Sequence, residues 1–281
     1  MGDIVLIDRF FRQIQLHLVS CYREIPQWPV ILGIFGRSGD GKSAQLVESL
    51  QRCEVEIIRL NAADLESGLA GEPGKNLART YATASLAIAK DIPTALVIDD
   101  VDTTVGEWEM NTGTVNHQQV LAELMHIADR PVDASRNYPK RVPVFLTGNN
   151  LARLYPPLRR PGRMRSMSWR PTSDELFEVL RGLFCNIAAP AELAVLASRF
   201  PDETLAFFAA VRQAIQEVEI SRGLGDAQIN MRKLLNRSRS GDLPPILPMR
   251  LEGRDLVHLA ESVKRSRDAA LEDFLKEPDR R

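Results

Sequence analysis

Three groups of residues in this chain have the types and spacing for phosphate chemistry. Gly36-Arg37-Ser38-Gly39-Asp40-Gly41-Lys42-Ser43 fits the pattern G-x-x-x-x-G-K-[ST]. Glycine at 36, 39 and 41 lets backbone N–H groups curl around phosphate oxygens, with no Cβ in the way and positive φ accessible. In such a loop Lys42 reaches the outer phosphates and Ser43 can ligate Mg²⁺. Ser38, Asp40 and Ala44 complete the stretch lying along the anion, at a helix N-terminus whose partial positive charge adds to the attraction. The second group is Asp99-Asp100-Val101-Asp102, directly after the wholly apolar run Ala95–Ile98. Carboxylates at a strand tip downstream of a phosphate loop are placed to support a metal ion, with Asp99 first in line. The third is a basic turn, Arg159-Arg160-Pro161-Gly162-Arg163, whose Arg160 and Arg163 stand three residues apart on a stiff support suited to phosphate charge. Asn149, after another apolar run, is a polar tip facing the same crevice as Asp99, and also an ordinary turn former.

Holding these groups together requires alternating strands and helices, and hydrophobic periodicity supplies them. Val30–Phe35, Val55–Leu60, Ala95–Ile98 and Val142–Leu146 read as strands. The third is apolar throughout, as in a parallel sheet covered on both faces. Helices are expected over Ile7 to Leu18, over Ala44–Leu50, through Leu77, Tyr81 and Ile88, and over Val115–Asp129. Ser67–Pro73 reads as a glycine-bearing loop and Thr103–Gly113 as a mobile one. Leu151–Thr172 carries Arg153, Arg159, Arg160, Arg163, Arg165 and Arg170 and no acid, a basic surface open to solvent or to nucleic acid. Beyond it the pattern is helical alone, opening with a Thr172/Glu175 capping box and the stripe Leu176, Val179, Leu180, Leu183. Two domains are therefore expected, an α/β domain over 1–171 and a smaller helical one over 172–281.

Composition narrows the function classes. The chain has 281 residues, 44% of them hydrophobic, enough for a sizeable core. A net charge of −1 argues against a bulk nucleic-acid binder while leaving room for a local basic surface. No apolar run reaches membrane-spanning length, and Asp3 and Asp8 stand where a secretory signal places lysines, so a cytoplasmic protein is expected. Cys21, Cys53 and Cys185 lie far apart, as reduced packing residues do. His17, His117, His126 and His258 make no ligand constellation, although His117 and His126 can share a helix.

Taken in order, the phosphate loop, carboxylate-tipped strand, asparagine-tipped strand, Arg-x-x-Arg turn and helical tail resemble an AAA+ ATPase module. Within that superfamily the chain is similar to Rubisco activases of the cyanobacterial and plant type. The residues carrying this are Leu65–Pro73, Val115-Asn116, Leu124–Pro131, Arg141–Asn149, Leu154–Leu158, Phe200-Pro201 and Phe207-Phe208. The phosphate loop is shared with many NTPases; the Glu66–Pro73 loop and the strand end before Asn149 are far more telling.

The resemblance implies a parallel five-stranded sheet with flanking helices plus a smaller C-terminal α-helical lid. It also implies ATP and Mg²⁺, and a homo-oligomeric ring, usually a hexamer, that pulls or twists a client. For activases that client is Rubisco blocked by tight-binding sugar phosphates, which points to the cytoplasm or a carboxysome. Carried over by position, Lys42 and Ser43 bind phosphate and Mg²⁺, Asp99 supports Mg²⁺ through water, and Asp100 stands where the water-activating acid belongs. Asn149 is then the first sensor, Arg160 and Arg163 are fingers reaching the neighbour's nucleotide, and Arg212 is the second sensor. Loops around Gly68-Leu69 and over Thr104–Thr114 would line the central pore.

This chain departs from the pattern in having Asp100 where most AAA+ proteins have Glu, and Ala214 where a second lid arginine is frequent. Neither the extra N-terminal domain of plant activases nor the small-subunit-like module of many cyanobacterial ones is expected in this chain, so the route of recruitment and the client stay open. Three other readings stay open: an activase-like ATPase with another protein client, a nucleic-acid-acting ATPase using the basic turn and Arg232–Arg239, and an ATP-binding scaffold with little turnover.

Overall fold

Five short strands lie parallel in one sheet in the computed structural model, which describes residues 4–61, 72–104, 115–224, 231–232 and 249–276. They are β1 (Ile31–Phe35), β2 (Glu56–Leu60), β3 (Thr94–Ile98), β4 (Val144–Gly148) and β5 (Met164–Ser168), in the order β2-β3-β4-β1-β5. The three central strands are buried at every position, and each large aliphatic side chain so covered contributes roughly 1.5–3 kcal/mol. The edge strands β2 and β5 show a mixed burial pattern and carry polar residues among apolar ones. In the register Phe35 pairs with Gly148 and Ser168, while Ile98 pairs with Leu146 and Leu60. The turns leaving β1, β3 and β4 therefore emerge side by side at the carboxyl edge, where α/β folds bind ligands.

The described residues divide into two compact units, one spanning Leu6–Arg170 and the other running from Pro171 onward together with Ile4 and Val5. In the first, α1 (Asp8–Tyr22) packs on α2 (Lys42–Arg52), and α3 (Glu72–Ile88) packs on α5 (Val115–Asp129), with the single turn α4 (Val101–Thr104) between β3 and α5. The helical unit contains α6 (Ser173–Leu183), α7 (Pro190–Arg199), α8 (Leu205–Leu224) and α9 (Gly253–Lys276), packed around Leu180, Phe184, Leu196, Phe208, Ile215 and Leu256. Both halves of the expected Thr172/Glu175 capping box form, at 3.3 and 2.7 Å.

Four local expectations change. The fourth strand runs from Val144 to Gly148 rather than Val142 to Leu146, because Pro143 has no N–H for the ladder and Thr147-Gly148 still pair with β1. The chain after Asp100 coils into a helical turn, so Thr103 and Thr104 belong to α4 and not to a loop. Glu72 and Pro73 open α3 instead of ending the preceding loop, with proline in the first turn where its missing N–H costs nothing. The arginine-rich stretch holds β5, which has no apolar periodicity and exists because β1 offers it an edge. The Gly68-Leu69 loop, residues 105–114 and Lys233 to Arg239 lie outside the described residues.

Candidate active site

The loop between β1 and α2 is shaped by glycines for two different reasons. Gly39 and Gly41 have φ of 83° and 79°, which L side chains rarely adopt. Gly36 does not sit in that region; a Cβ there would stand 2.0 Å from the Trp169 carbonyl oxygen. Trp169 closes the loop from the β5 side, its backbone N–H donating to Phe35 O at 2.6 Å and its indole N–H to Asp40 O at 2.8 Å. Asp40 is buried and braces the loop from within by pairing with Arg37 at 3.2 Å. Gly41 caps α2 without any side-chain hydrogen bond, so the first N–H groups of this 11-residue helix remain for an anion. Ser38 and Ala44 are exposed beside them.

Lys42 is 7% exposed, and its ammonium donates to Gly36 O (2.7 Å), Arg37 O (2.9 Å) and Asn149 Oδ1 (3.0 Å). Burial draws it below the ordinary lysine value, against the opposing charges of Asp40, Asp100 and Asp102. The lysine and asparagine, 107 residues apart in sequence, thus meet over the loop. Asn149 is held there through its backbone: Asp102 Oδ2 accepts the N–H groups of both Asn149 and Asn150 at 2.9 Å. The other Asp102 oxygen is buried without a partner among the described residues, and Gly148 is required beside it, since a Cβ would come within 2.8 Å of that oxygen.

Asp99 is the centre of a second network. Its Oδ1 accepts the hydroxyls of Ser43 (3.0 Å) and Thr147 (2.9 Å), and its Oδ2 is ion-paired with Arg59 from the end of β2. Thr147 Oγ1 in turn accepts the Asp100 N–H at 3.2 Å. Asp100 is exposed, with a left-handed φ of 49°, a strained backbone position for a residue with a Cβ. Ser43 and Asp99 fit a magnesium ion: one hydroxyl and one carboxylate face each other beside an anion cradle, the sparse donor set Mg²⁺ takes when phosphates complete its shell. No group of three or more His, Cys, Asp or Glu side chains gathers as a metal cage among the described residues.

The basic turn splits into two unlike arginines. Arg163 clamps Asp129 with two hydrogen bonds (2.8 and 2.7 Å) and also donates to Pro157 O, a pairing that raises its pKa. Arg160 is exposed and has no ion-pair partner among the described residues. Both line a recess of about 710 Å³ with Trp28, Asp129 and Arg141. Arg212, in the helical unit, is one-fifth exposed and lies 3.4 Å from the buried carboxylate of Glu219, whose other oxygen accepts the Met249 N–H at 2.7 Å. His126 pairs with Asp133 at 3.3 Å, away from the loop.

Sequence reasoning passed over Arg59, Thr147, Asp129 and Trp169, and named Asp102 only as part of an acidic run. Arg59 carried a usable signal, the lone cation of its strand, next to the strand's end and preceded by Ile57 and Ile58. The others become legible only once the register aligns the strand ends.

Residues 32–172, half of the chain, match the family described as AAA, ATPase family associated with various cellular activities. The chain belongs to the AAA family. Its AAA segment runs from the second residue of β1 past the end of β5 and so includes every loop-edge residue described above. Similarity also reaches well beyond that segment. The chain is 34% identical to the ribulose bisphosphate carboxylase/oxygenase activase, chloroplastic, of Spinacia oleracea, over 94% of this chain and 60% of that protein. It is 35% identical to those of Solanum pennellii and Nicotiana tabacum, each over 99% of this chain, and over 64% and 66% of the relatives. This AAA chain therefore spans less than two thirds of the length of these relatives. None of its described helices is long and apolar enough to cross a membrane.

Proposed function

We propose that this chain is an ATP-hydrolysing remodeller that frees Rubisco from inhibitory sugar phosphates, working as a homo-oligomeric ring in the cytoplasm or at a carboxysome. The observation that carries the reading is the extent of the similarity. It runs over 94–99% of the chain and so includes the helical unit, whereas a generic AAA relationship needs only residues 32–172. The domains at work would be the α/β unit as nucleotide site and the helical unit as lid.

Phosphoryl transfer asks a protein for placement and charge stabilisation more than for covalent chemistry. Lys42, with the N–H groups of Gly39 to Ala44, would hold the phosphate chain, and its ammonium would exchange backbone carbonyls for phosphate oxygens. Mg²⁺ bound by Ser43 and supported by Asp99 supplies a Lewis acid that neutralises phosphate charge. Asp100 would orient the attacking water, and Asn149, tethered by Asp102, would set its position against the outer phosphate. Arg160 would complete the neighbouring subunit's site, on a turn braced by Arg163 and Asp129, with Arg163 following if it exchanges Asp129 for phosphate. A finger arginine supplied in trans is typically worth ~10³ to 10⁵ in rate, or about 4–7 kcal/mol of barrier. Arg212, steadied by Glu219, would report nucleotide state to the helical unit.

The test mixes purified protein and ATP with sugar-phosphate-inhibited Rubisco and follows recovery of carboxylation beside a Lys42→Ala control. Recovery that needs both ATP and Lys42 supports the reading; no ATP-dependent recovery with the cognate Rubisco overturns it.

A further inference from the structure

Asp99 is held on both oxygens, and the two sides are chemically unlike. On Oδ1 it accepts two hydroxyls, from Ser43 and Thr147, groups that remain compatible with a cation nearby. On Oδ2 it meets the guanidinium of Arg59, a full positive charge. Arg59 is the fourth residue of the edge strand β2, and half of its side chain is exposed, whereas Asp99 is 14% exposed. The register places Arg59 beside Val97, two residues before Asp99, so the arginine side chain extends along the sheet toward its carboxyl edge.

From this geometry we infer that Arg59 is a positioning residue that tunes metal affinity: it competes with Mg²⁺ for the charge of Asp99 and weakens metal binding at the Ser43–Asp99 position. The inference rests on the nucleotide-site reading above. Linkage makes the competition reciprocal, so metal loading loosens the Arg59–Asp99 pair by the same factor. Arg59 is bonded through Nε, so a lysine at the same position would keep the charge without the same planar contact. Loss of the charge, rather than of the shape, is then what should move metal affinity.

The experiment titrates Mg²⁺ against binding of a fluorescent ADP analogue to the full chain, comparing wild type with Arg59→Met, Arg59→Gln and Arg59→Lys. Half-saturating Mg²⁺ should fall about three- to tenfold in the Met and Gln variants, the size of one half-exposed charge acting through a water-like medium. The Lys variant should stay within about twofold of wild type, and binding in excess chelator should be alike in all four, because the described partner of Arg59 is Asp99 and not the loop itself. An unchanged or raised half-saturating Mg²⁺ in Arg59→Met and Arg59→Gln overturns the inference while leaving nucleotide binding intact. Equal binding of the analogue by wild type and by Lys42→Ala removes the nucleotide-site reading, and the Arg59 inference with it.

Discussion

Replacing Asp102 by alanine tests how the asparagine tip is held. Asp102 is 3% exposed, and its Oδ2 takes two backbone N–H groups at 2.9 Å from Asn149 and Asn150. A hydrogen bond to a charged group contributes about 1.5–3 kcal/mol, so two are worth roughly 3–6 kcal/mol. Against this stands the cost of burying a carboxylate whose Oδ1 has no partner among the described residues, on the order of 1–3 kcal/mol. The expected net loss on Asp102→Ala is about 2–4 kcal/mol, or roughly 5–15 °C in the melting of the α/β unit. Function should fall further than stability, because Asn149 no longer has a fixed backbone: a displacement of about 1 Å costs on the order of 100-fold in turnover. Nucleotide affinity should change by less than about threefold, since Lys42 keeps its backbone partners. Asp102→Asn preserves an acceptor for both N–H groups and should lose under half as much on each measure. The assays are thermal denaturation, steady-state ATP hydrolysis and fluorescent-nucleotide binding on one preparation. An Asp102→Ala protein that melts and turns over like wild type would refute the tether.

Four further outcomes follow from the same geometry. Gly36→Ala places a Cβ 2.0 Å from a backbone oxygen, which neither strand can yield cheaply; it should cost more than about 3 kcal/mol and abolish nucleotide binding, measured by melting and by titration. Lys42→Ala should lower ATP affinity or turnover by at least about 100-fold with little change in melting temperature, since its partners are carbonyls near solvent. Arg160→Ala should keep ATP binding while reducing hydrolysis in the assembled ring by roughly 10³-fold, whereas Asp129→Ala should produce a smaller loss by freeing Arg163; equal hydrolysis in wild type and Arg160→Ala would remove the finger role. His17 is fully buried, donating from Nε2 to Val30 O and accepting from Trp28 at Nδ1, and burial pushes its pKa from 6.5 down to about 3. Above the unfolded value the folded and unfolded states bind the same number of protons; below it only the unfolded chain gains one, so stability falls with pH from 6.5 to about 3. The loss should reach about 2 kcal/mol near pH 5, read from urea unfolding, and His17→Gln should flatten that slope.

Much of this protein was determined by short-range pattern. The glycine-rich loop, the apolar strands ending in carboxylates and the Thr172 capping box each depend on residues within a few positions of one another, and local sterics and periodicity suffice to specify them. The roles proposed for Lys42, Ser43 and Asp99 toward phosphate and metal come from the same short-range pattern. What only the tertiary structure decided are relations across the sheet. β5 has no apolar rhythm and forms because β1 presents unpaired backbone groups to it. Gly36 is glycine because Trp169, more than a hundred residues later, crosses above it. Arg59, Thr147 and Asp102 acquire roles because parallel register sets the ends of β2, β3 and β4 together, within hydrogen-bond reach of Asp99 and Asn149. Spacing along a chain encodes which chemistry is available; long-range pairing sets which charges meet, and so how tightly each is held.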